Sequence, residues 1–312
     1  PRSRGLGDVY KRQIIRTAEI SGVDGIIIQN SSSAPINSDT IKTSAGAIFN
    51  IPICKVNHIK DAIYHLKSID ISIVSASEKA NKNNVTKMVL VGNDLDSSFK
   101  VLSLAEQFGF IATAGYHPHN AKDFKYEDMD KISQYYKNDR VIAIGECGLD
   151  YYREYSTTKQ QTSCFENHLI LAKETKAPVF LHERKAHKDF ISILKKYNDD
   201  IDKKVVHCFT GDRAELMAYL DMGCYIGITG WISDLRRGKH LHDLIKYIPQ
   251  NKLMIETDSP YLTPKNLPFK HNGINQPSYL NYIAETIAEC LNKDIDYVKQ
   301  ISIRNTKEFF SI

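Results

Sequence analysis

The chain predicts an α/β fold in which parallel strands and helices wind in one direction into a barrel. Two observations carry this. From about residue 87 onward, seven short apolar runs alternate with longer amphipathic stretches. The runs are apolar on both faces, as strands buried on both sides require. The second observation is length. Residues 87 to 312 number 312 − 86 = 226, against roughly 250 for an eight-stranded barrel, a shortfall of about one strand–helix unit. An open, doubly wound sheet would place a Gly-rich phosphate loop after an early strand, and none is present.

In order, strands are expected at 87–91, 110–114, 141–144, 179–181, 204–206, 224–228 and 253–255, with helices over 95–108, 158–175, 186–196 and 212–221. Thr157 or Thr158 ahead of Gln161, and Thr210 ahead of Arg213, Ala214 and Glu215, read as helix N-terminal signals. Residues 1 to about 80 read differently. They hold an apolar strand at 25–28, a polar turn at 29–35 and a small-residue segment at 44–47, and no repeat links them to the rest. A domain boundary is expected near 75–86, where the chain turns polar and Asn-rich.

Composition narrows the class. Hydrophobic residues make up 42% and charged residues 25%, and no apolar run approaches the roughly 20 residues that cross a bilayer. A soluble protein is expected, with no membrane partner. The net charge of +4 is too small to argue for nucleic acid by itself and leaves that partner open. Six cysteines are scattered with no CxxC pair, so reduced thiols and a cytoplasmic location are expected. The basic N-terminus (Arg2, Arg4, Lys11, Arg12) has no apolar segment of signal-peptide kind behind it, and the chain does not begin with Met. It reads as a fragment, or a joined one.

The chemistry shows in where ionisable residues fall. His117 follows strand 110–114, Glu146 follows 141–144, His182 closes 179–181, His207 closes 204–206, and Asp258 follows 253–255. In a parallel barrel these C-terminal ends converge on one mouth, where active sites of this fold are built. A lone histidine beside an apolar strand is more often a hydrogen-bonded core residue. Five ionisable groups at five strand ends are different, because burying them together is costly unless a cation compensates. Two imidazoles with carboxylates suit Zn, Mn, Fe or Mg. The reaction class that follows is hydrolysis by a metal-activated water, with Asp258 placed both to ligate and to take the water's proton.

Other residues have two readings. Arg236, Arg237, Lys239 and His240, with Trp231 nearby, either grip phosphates and stack on a base or form a solvated loop. Tyr151, Tyr152, Arg153 and Tyr155 follow Glu146 and line the same mouth or are merely frequent tyrosines. Glu183 and His187 either orient His182 or sit at an exposed helix start. Cys147 and Cys208 adjoin proposed ligands, but strand alternation turns them away. His58, His65, His168 and His271 have no strand-end placement and no functional reading.

Six segments, "YHPHN" (116–120), "IGECGLDYYR" (144–153), "APVFLHERKAH" (177–187), "VVHCFTGD" (205–212), "YIGITGW" (225–231) and "LMIETDSPYL" (253–262), closely resemble the TatD family of metal-dependent deoxyribonucleases. The resemblance covers about residues 76–312. It implies a TIM-type (β/α)8 barrel that hydrolyses phosphodiester bonds in DNA with one or two divalent ions, Mg first, Mn or Zn as alternatives. It implies Glu146, His182, His207 and Asp258 as metal ligands, Asp258 and Glu146 as catalytic, and His117 and His119 on the substrate side. A monomer is expected. Members of the family begin with a strand that supplies an H-x-H pair or an Asp/Asn variant, and nothing before Lys87 does so here. The barrel is therefore expected to lack its first strand.

In its place, residues 14–67 resemble the SpoU/TrmH family of RNA 2′-O-methyltransferases, with Arg16 matching the Arg of its first motif. The segments that make that family's methyl-donor pocket have no counterpart, so methyltransferase activity is not expected from this small α/β fragment of SPOUT-like character. "GDVYKRQ" (7–13) resembles a translated sequencing adaptor. Three parts are thus expected: 1–13 adaptor-like or disordered, 14–75 methyltransferase-like, and 76–312 the hydrolase barrel, joined as a chimera. The competing reading is a true fusion in which an RNA-binding module precedes an impaired barrel. An amidohydrolase on the same fold is disfavoured, because no Lys sits at strand end 178–182.

Overall fold

The computed structural model describes residues 25–29, 50, 52–58, 62, 85–271 and 273–312. The chain divides into two compact units, Pro1–Val74 and Ser75–Ile312. In the first, β1 (Ile26–Gln29) and β2 (Ile53–Val56) pair in parallel, Ile26 opposite Ile53 and Gln29 opposite Val56. Arg16 and the adaptor-like segment lie outside the described residues, as does most of the methyltransferase-like stretch.

The second unit holds β3 (Val89–Val91), β4 (Ile111–Ala114), β5 (Val141–Asp150), β6 (Val179–Arg184), β7 (Lys204–Val206), β8 (Tyr225–Ile228) and β9 (Leu253–Ile255). Each strand is parallel to the next, and the sheet order is the chain order. A doubly wound sheet would reverse direction partway. This winding does not, which is the barrel topology. Among the described residues β3 and β9 are left as edges, as a barrel short of a strand must leave them.

Between the strands run α1 (Leu95–Phe108), α2 (Asp128–Tyr136), α3 (Thr158–Thr175), α4 (His187–Lys195), α5 (Arg213–Asp221) and α6 (Leu241–Leu244), and α7 (Leu280–Leu291) and α8 (Ile295–Phe310) follow β9. Capping boxes begin three of them. Asp94 pairs with Ser97, Thr157 with Gln160 and Asp212 with Glu215. The expected signals were one or two residues out. Thr157 takes Gln160 rather than Gln161, and Asp212 caps α5 rather than Thr210, because the box needs its partners three positions apart.

Two apolar layers result. Leu181, Ile226 and Leu253 belong to one core with helix residues such as Phe165, Phe190 and Ile283. Phe180, Val205, Tyr225 and Met254 form the other with Phe309 and Phe310. Phe309 meets Tyr225, the first residue of β8, with ring centroids 5.1 Å apart. The end of α8 thus packs where strands begin, leaving the opposite ends for the chemistry.

The strand expected to stop at Ile144 continues to Asp150. Ile144 pairs with Val179 and Cys147 with Leu181, so β5 carries one more residue than β6 across this step. This is a bulge, which re-aims a side chain within a strand. Glycine makes it possible. A Cβ at Gly145 (φ 131) would lie 2.3 Å from the Phe180 carbonyl oxygen, and one at Gly148 (φ 147) would lie 1.9 Å from that of His182. Gly148→Ala is therefore expected to destabilise the unit by more than about 3 kcal/mol, against about 1 kcal/mol for Gly109→Ala, which replaces an open left-handed cap. Chemical denaturation midpoints measure the difference, and equal losses would contradict the packing described.

Candidate metal centre

Glu146 is buried, and one of its oxygens is the hub of the mouth. Oε1 lies 2.7 Å from His207 Nε2, 2.8 Å from His182 Nδ1 and 3.4 Å from His117 Nε2. His182 Nδ1 and His207 Nε2 are 3.3 Å apart. The bulge brings Glu146 in from β5, while His182 lies within β6, His207 follows β7 by one residue, and His117 stands before the turn Pro118–Asn120. Three of the five strand-end residues expected from the sequence thus converge directly on a fourth.

Two carboxylates that sequence reading passed over stand behind the imidazoles. Asp150, fully buried, places Oδ2 at 2.8 Å from His119 Nε2 and 3.4 Å from His182 Nε2. Glu256 Oε1 accepts the Cys208 N–H at 2.5 Å and lies 3.6 Å from His207 Nδ1. Gly227 keeps room for it, since a Cβ there would come within 2.5 Å of that oxygen. The signal for Glu256 was its place, the first residue after β9 and two before Asp258.

The electrostatics follow. Burial pushes the Glu146 carboxyl up, but His207 and His117 hold it well below the usual range. Burial opposes protonation of His207, yet Glu146 and Glu256 carry it well above the ordinary imidazole value. His182 is likewise raised, burial being outweighed by Asp150 and Glu146. His117 is the exception, lowered by burial to about 4 despite Glu146. Its Nδ1 accepts the His119 N–H at 3.1 Å, so as a neutral ring it carries its proton on Nε2. His117 Nε2 therefore faces Glu146 as a donor, although its position alone groups it with Glu146 and His182 as a potential ligand. The tautomer argues for the donor role.

Asp258 has no side-chain hydrogen bond among the described residues. Burial raises its carboxyl to about 7, with His207 pulling down and Glu146 and Glu256 pushing up. Its backbone is left-handed, φ 54, as is that of Cys208, φ 48, so strain collects beside the site.

The rim differs from expectation. Arg237 lies over the Trp231 indole, 4.3 Å from the ring, and its Nε is 2.7 Å from the buried Asp234 carboxylate. The two residues expected to contact substrate therefore bind one another, while Arg236 is exposed. Tyr151 is tied to Asp189 at 3.0 Å, Tyr152 is capped by Arg184 at 4.0 Å, and Tyr155 packs edge-on against His119. Glu183 and His187 do not orient His182. Both bond the Tyr219 hydroxyl, at 2.9 Å each. His168, without a functional reading in the sequence, is buried in the core and accepts the Tyr116 N–H at 3.0 Å.

Residues 60–311 match the family described as TatD related DNase. The chain belongs to the TatD-related DNase family. It is thus a hydrolase of nuclease type, as its motifs implied. A "3'-5' ssDNA/RNA exonuclease TatD" from Edwardsiella piscicida is 40% identical over 237 residues, 75% of this chain and 91% of that relative. One of the same description from Salmonella typhimurium is 39% identical, covering 73% and 88%. Among solved structures, a TatD homologue from Escherichia coli K12 superposes with a TM-score of 0.69 at 26% identity, over 75% of this chain and 90% of that one. A TatD family hydrolase from Entamoeba histolytica gives 0.66 at 26%, over 75% and 87%. Residues 13–102 also match the SpoU rRNA Methylase family, as the N-terminal motif implied.

The donor set of this TatD relative fits a divalent cation. Atoms each about 2.1 Å from one ion are at most about 4.2 Å apart, and Glu146 Oε1, His182 Nδ1 and His207 Nε2 satisfy that limit. Four carboxylates (Glu146, Asp150, Glu256, Asp258) crowd the mouth, so positive charge must balance them, as protons on the imidazoles or as a metal. Because His182 and His207 have raised pKa values, protons compete with metal even near neutrality, and more so as pH falls. Mn affinity is therefore expected to drop steadily between about pH 8 and pH 6, with proton release on binding. Calorimetry in buffers of different ionisation enthalpy reads both, and a pH-independent affinity would contradict the charge balance.

Proposed function

We propose that the unit Ser75–Ile312 hydrolyses phosphodiester bonds in single-stranded nucleic acid, removing nucleotides from the 3′ end. One observation carries the hydrolytic part: a buried carboxylate oxygen, Glu146 Oε1, met by three imidazoles from three strand ends. The relatives' description as 3'-5' ssDNA/RNA exonucleases supports the polymer and the direction. In this reading Glu146, His182, His207 and Asp258 hold the ion, Mg in the first place, with Mn or Zn as alternatives. When bound, a divalent ion lowers the pKa of a water and neutralises charge on a phosphoryl oxygen.

The chain's own groups supply the rest. Asp258, a carboxyl that burial raises to about 7 in the metal-free site, is placed to accept the proton of the attacking water. Neutral His117 keeps its Nε2–H toward Glu146 and, with His119, which Asp150 holds, borders the substrate side. Exposed Arg236 is left to meet the strand's phosphates, with the Arg237–Trp231 pair as a fixed wall rather than a free stacking platform. The protein acts as a cytoplasmic monomer in this reading. Residues 14–75 are read as a methyltransferase-like piece joined to the barrel, supported by the SpoU match and by the parallel β1–β2 pair. Among the described residues β3 and β9 are unpaired edges, and edges of that kind favour association and instability of the barrel.

A 5′-labelled single-stranded oligonucleotide incubated with Mg or Mn is expected to give a ladder shortening from its 3′ end, abolished by EDTA. Glu146→Ala and His207→Ala are each expected to lower the rate roughly a thousandfold, about 4 kcal/mol of transition-state stabilisation. Undiminished cleavage by both variants would remove the assignment.

A further inference from the structure

Asp150, the most buried carboxylate of the mouth, has so far entered only as the group that holds His119. A carboxylate offers about four lone-pair directions; three accept hydrogen bonds here, and the fourth faces His182 Nε2. Oδ1 accepts the backbone N–H groups of Tyr152 at 2.9 Å and Arg153 at 3.0 Å. Oδ2 accepts His119 Nε2 at 2.8 Å and faces His182 Nε2 at 3.4 Å. The backbone beneath is clamped as well, since Gln161 accepts the Asp150 N–H at 2.8 Å and donates to its carbonyl at 3.0 Å. The carboxylate cannot swing away, and its one remaining direction is the one that His182 Nε2 faces.

His182 Nε2 is buried and has no hydrogen bond of good geometry, Asp150 Oδ2 being the acceptor set beside it. A proton on Nε2 therefore belongs on the Asp150 side, which leaves Nδ1 as the atom turned to Glu146 and His207. Across the same oxygen stands His119, whose ring is 4.2 Å from that of His117. One carboxylate thus touches a histidine of the metal cluster and a histidine of the open side, which no two residues adjacent in sequence could do.

We infer that Asp150 is a positioning residue that fixes the ring orientation and tautomer of His182 for ligation while holding His119 in register with it. This rests on His182 being a metal ligand. Asp150→Asn keeps size but cannot accept on both sides, so the His182 ring loses its fixed orientation. Gln161→Leu removes the backbone clamp without touching either imidazole and reports what a merely structural loss does.

The test uses the full chain with Mn for calorimetry and Zn for NMR. Asp150→Asn is expected to weaken Mn binding 10- to 100-fold, roughly the range for partners that orient ligating histidines. Gln161→Leu is expected to lower the melting temperature at least as much while keeping Mn affinity within about threefold of the parent. In the unsubstituted protein, nitrogen-15 spectra are expected to show His182 protonated at Nε2 with and without Zn, which needs no variant to fold. Equal Mn affinity in the parent and Asp150→Asn would overturn the inference. So would equal loss in both variants, or a His182 bare at Nε2. A parent that binds no Mn would sink the metal reading instead, and the NMR arm on the metal-free protein would then decide the fate of Asp150 on its own.

Discussion

The mouth of the barrel depends on keeping one carboxylate, Glu146, anionic where water hardly reaches it. Removing such a charge from water costs several kcal/mol unless partners replace the solvent. Here His207, His182 and His117 do so, from three different elements. Each imidazole answers to further groups. Glu256 stands behind His207, Asp150 behind His182, and the His119 amide fixes His117. The arrangement is balanced by protons or by a metal, and exchanging one for the other turns a stable polar core into a centre able to bind and polarise an oxygen.

The backbone is shaped around that charge. The bulge in β5 turns Glu146 inward, at the cost of two glycines in conformations other residues avoid and a tight approach to β6. Cys208 and Asp258 take left-handed backbone at two other strand ends. Strain of this kind, about 1–3 kcal/mol for a residue, persists only where the surroundings dictate it. The capping boxes of α1, α3 and α5, and the packing of Phe309 against Tyr225, provide a rigid frame that holds it.

Much of this was legible in the sequence, for definite reasons. Strands such as 204–206 and 253–255 announced themselves because both faces are apolar, and Glu146, His182 and His207 because each interrupts or ends such a run. What was hidden depended on pairing between strands. "GECGLD" has no apolar pattern, so β5 was expected to stop at Ile144, and Asp150, though close behind Glu146, was given no role. Its nearness to His182 exists only because Gly148 pairs with His182 across β5 and β6. Glu183 and His187, near His182 in sequence, were the natural candidates to orient it, but the strand's alternation sends Glu183 to Tyr219. Trp231 and Arg237 read as free binding groups because nothing in a sequence shows that a guanidinium will lie on an indole six residues back.

The central claim is that Glu146, His182 and His207 surround a cation site. Anomalous diffraction from crystals soaked in Mn tests it most directly. The account predicts a peak about 2.0–2.3 Å from Glu146 Oε1, His182 Nδ1 and His207 Nε2, with Asp258 turned toward it. An ion bound elsewhere, with Glu146 still in direct contact with both imidazoles, would contradict it.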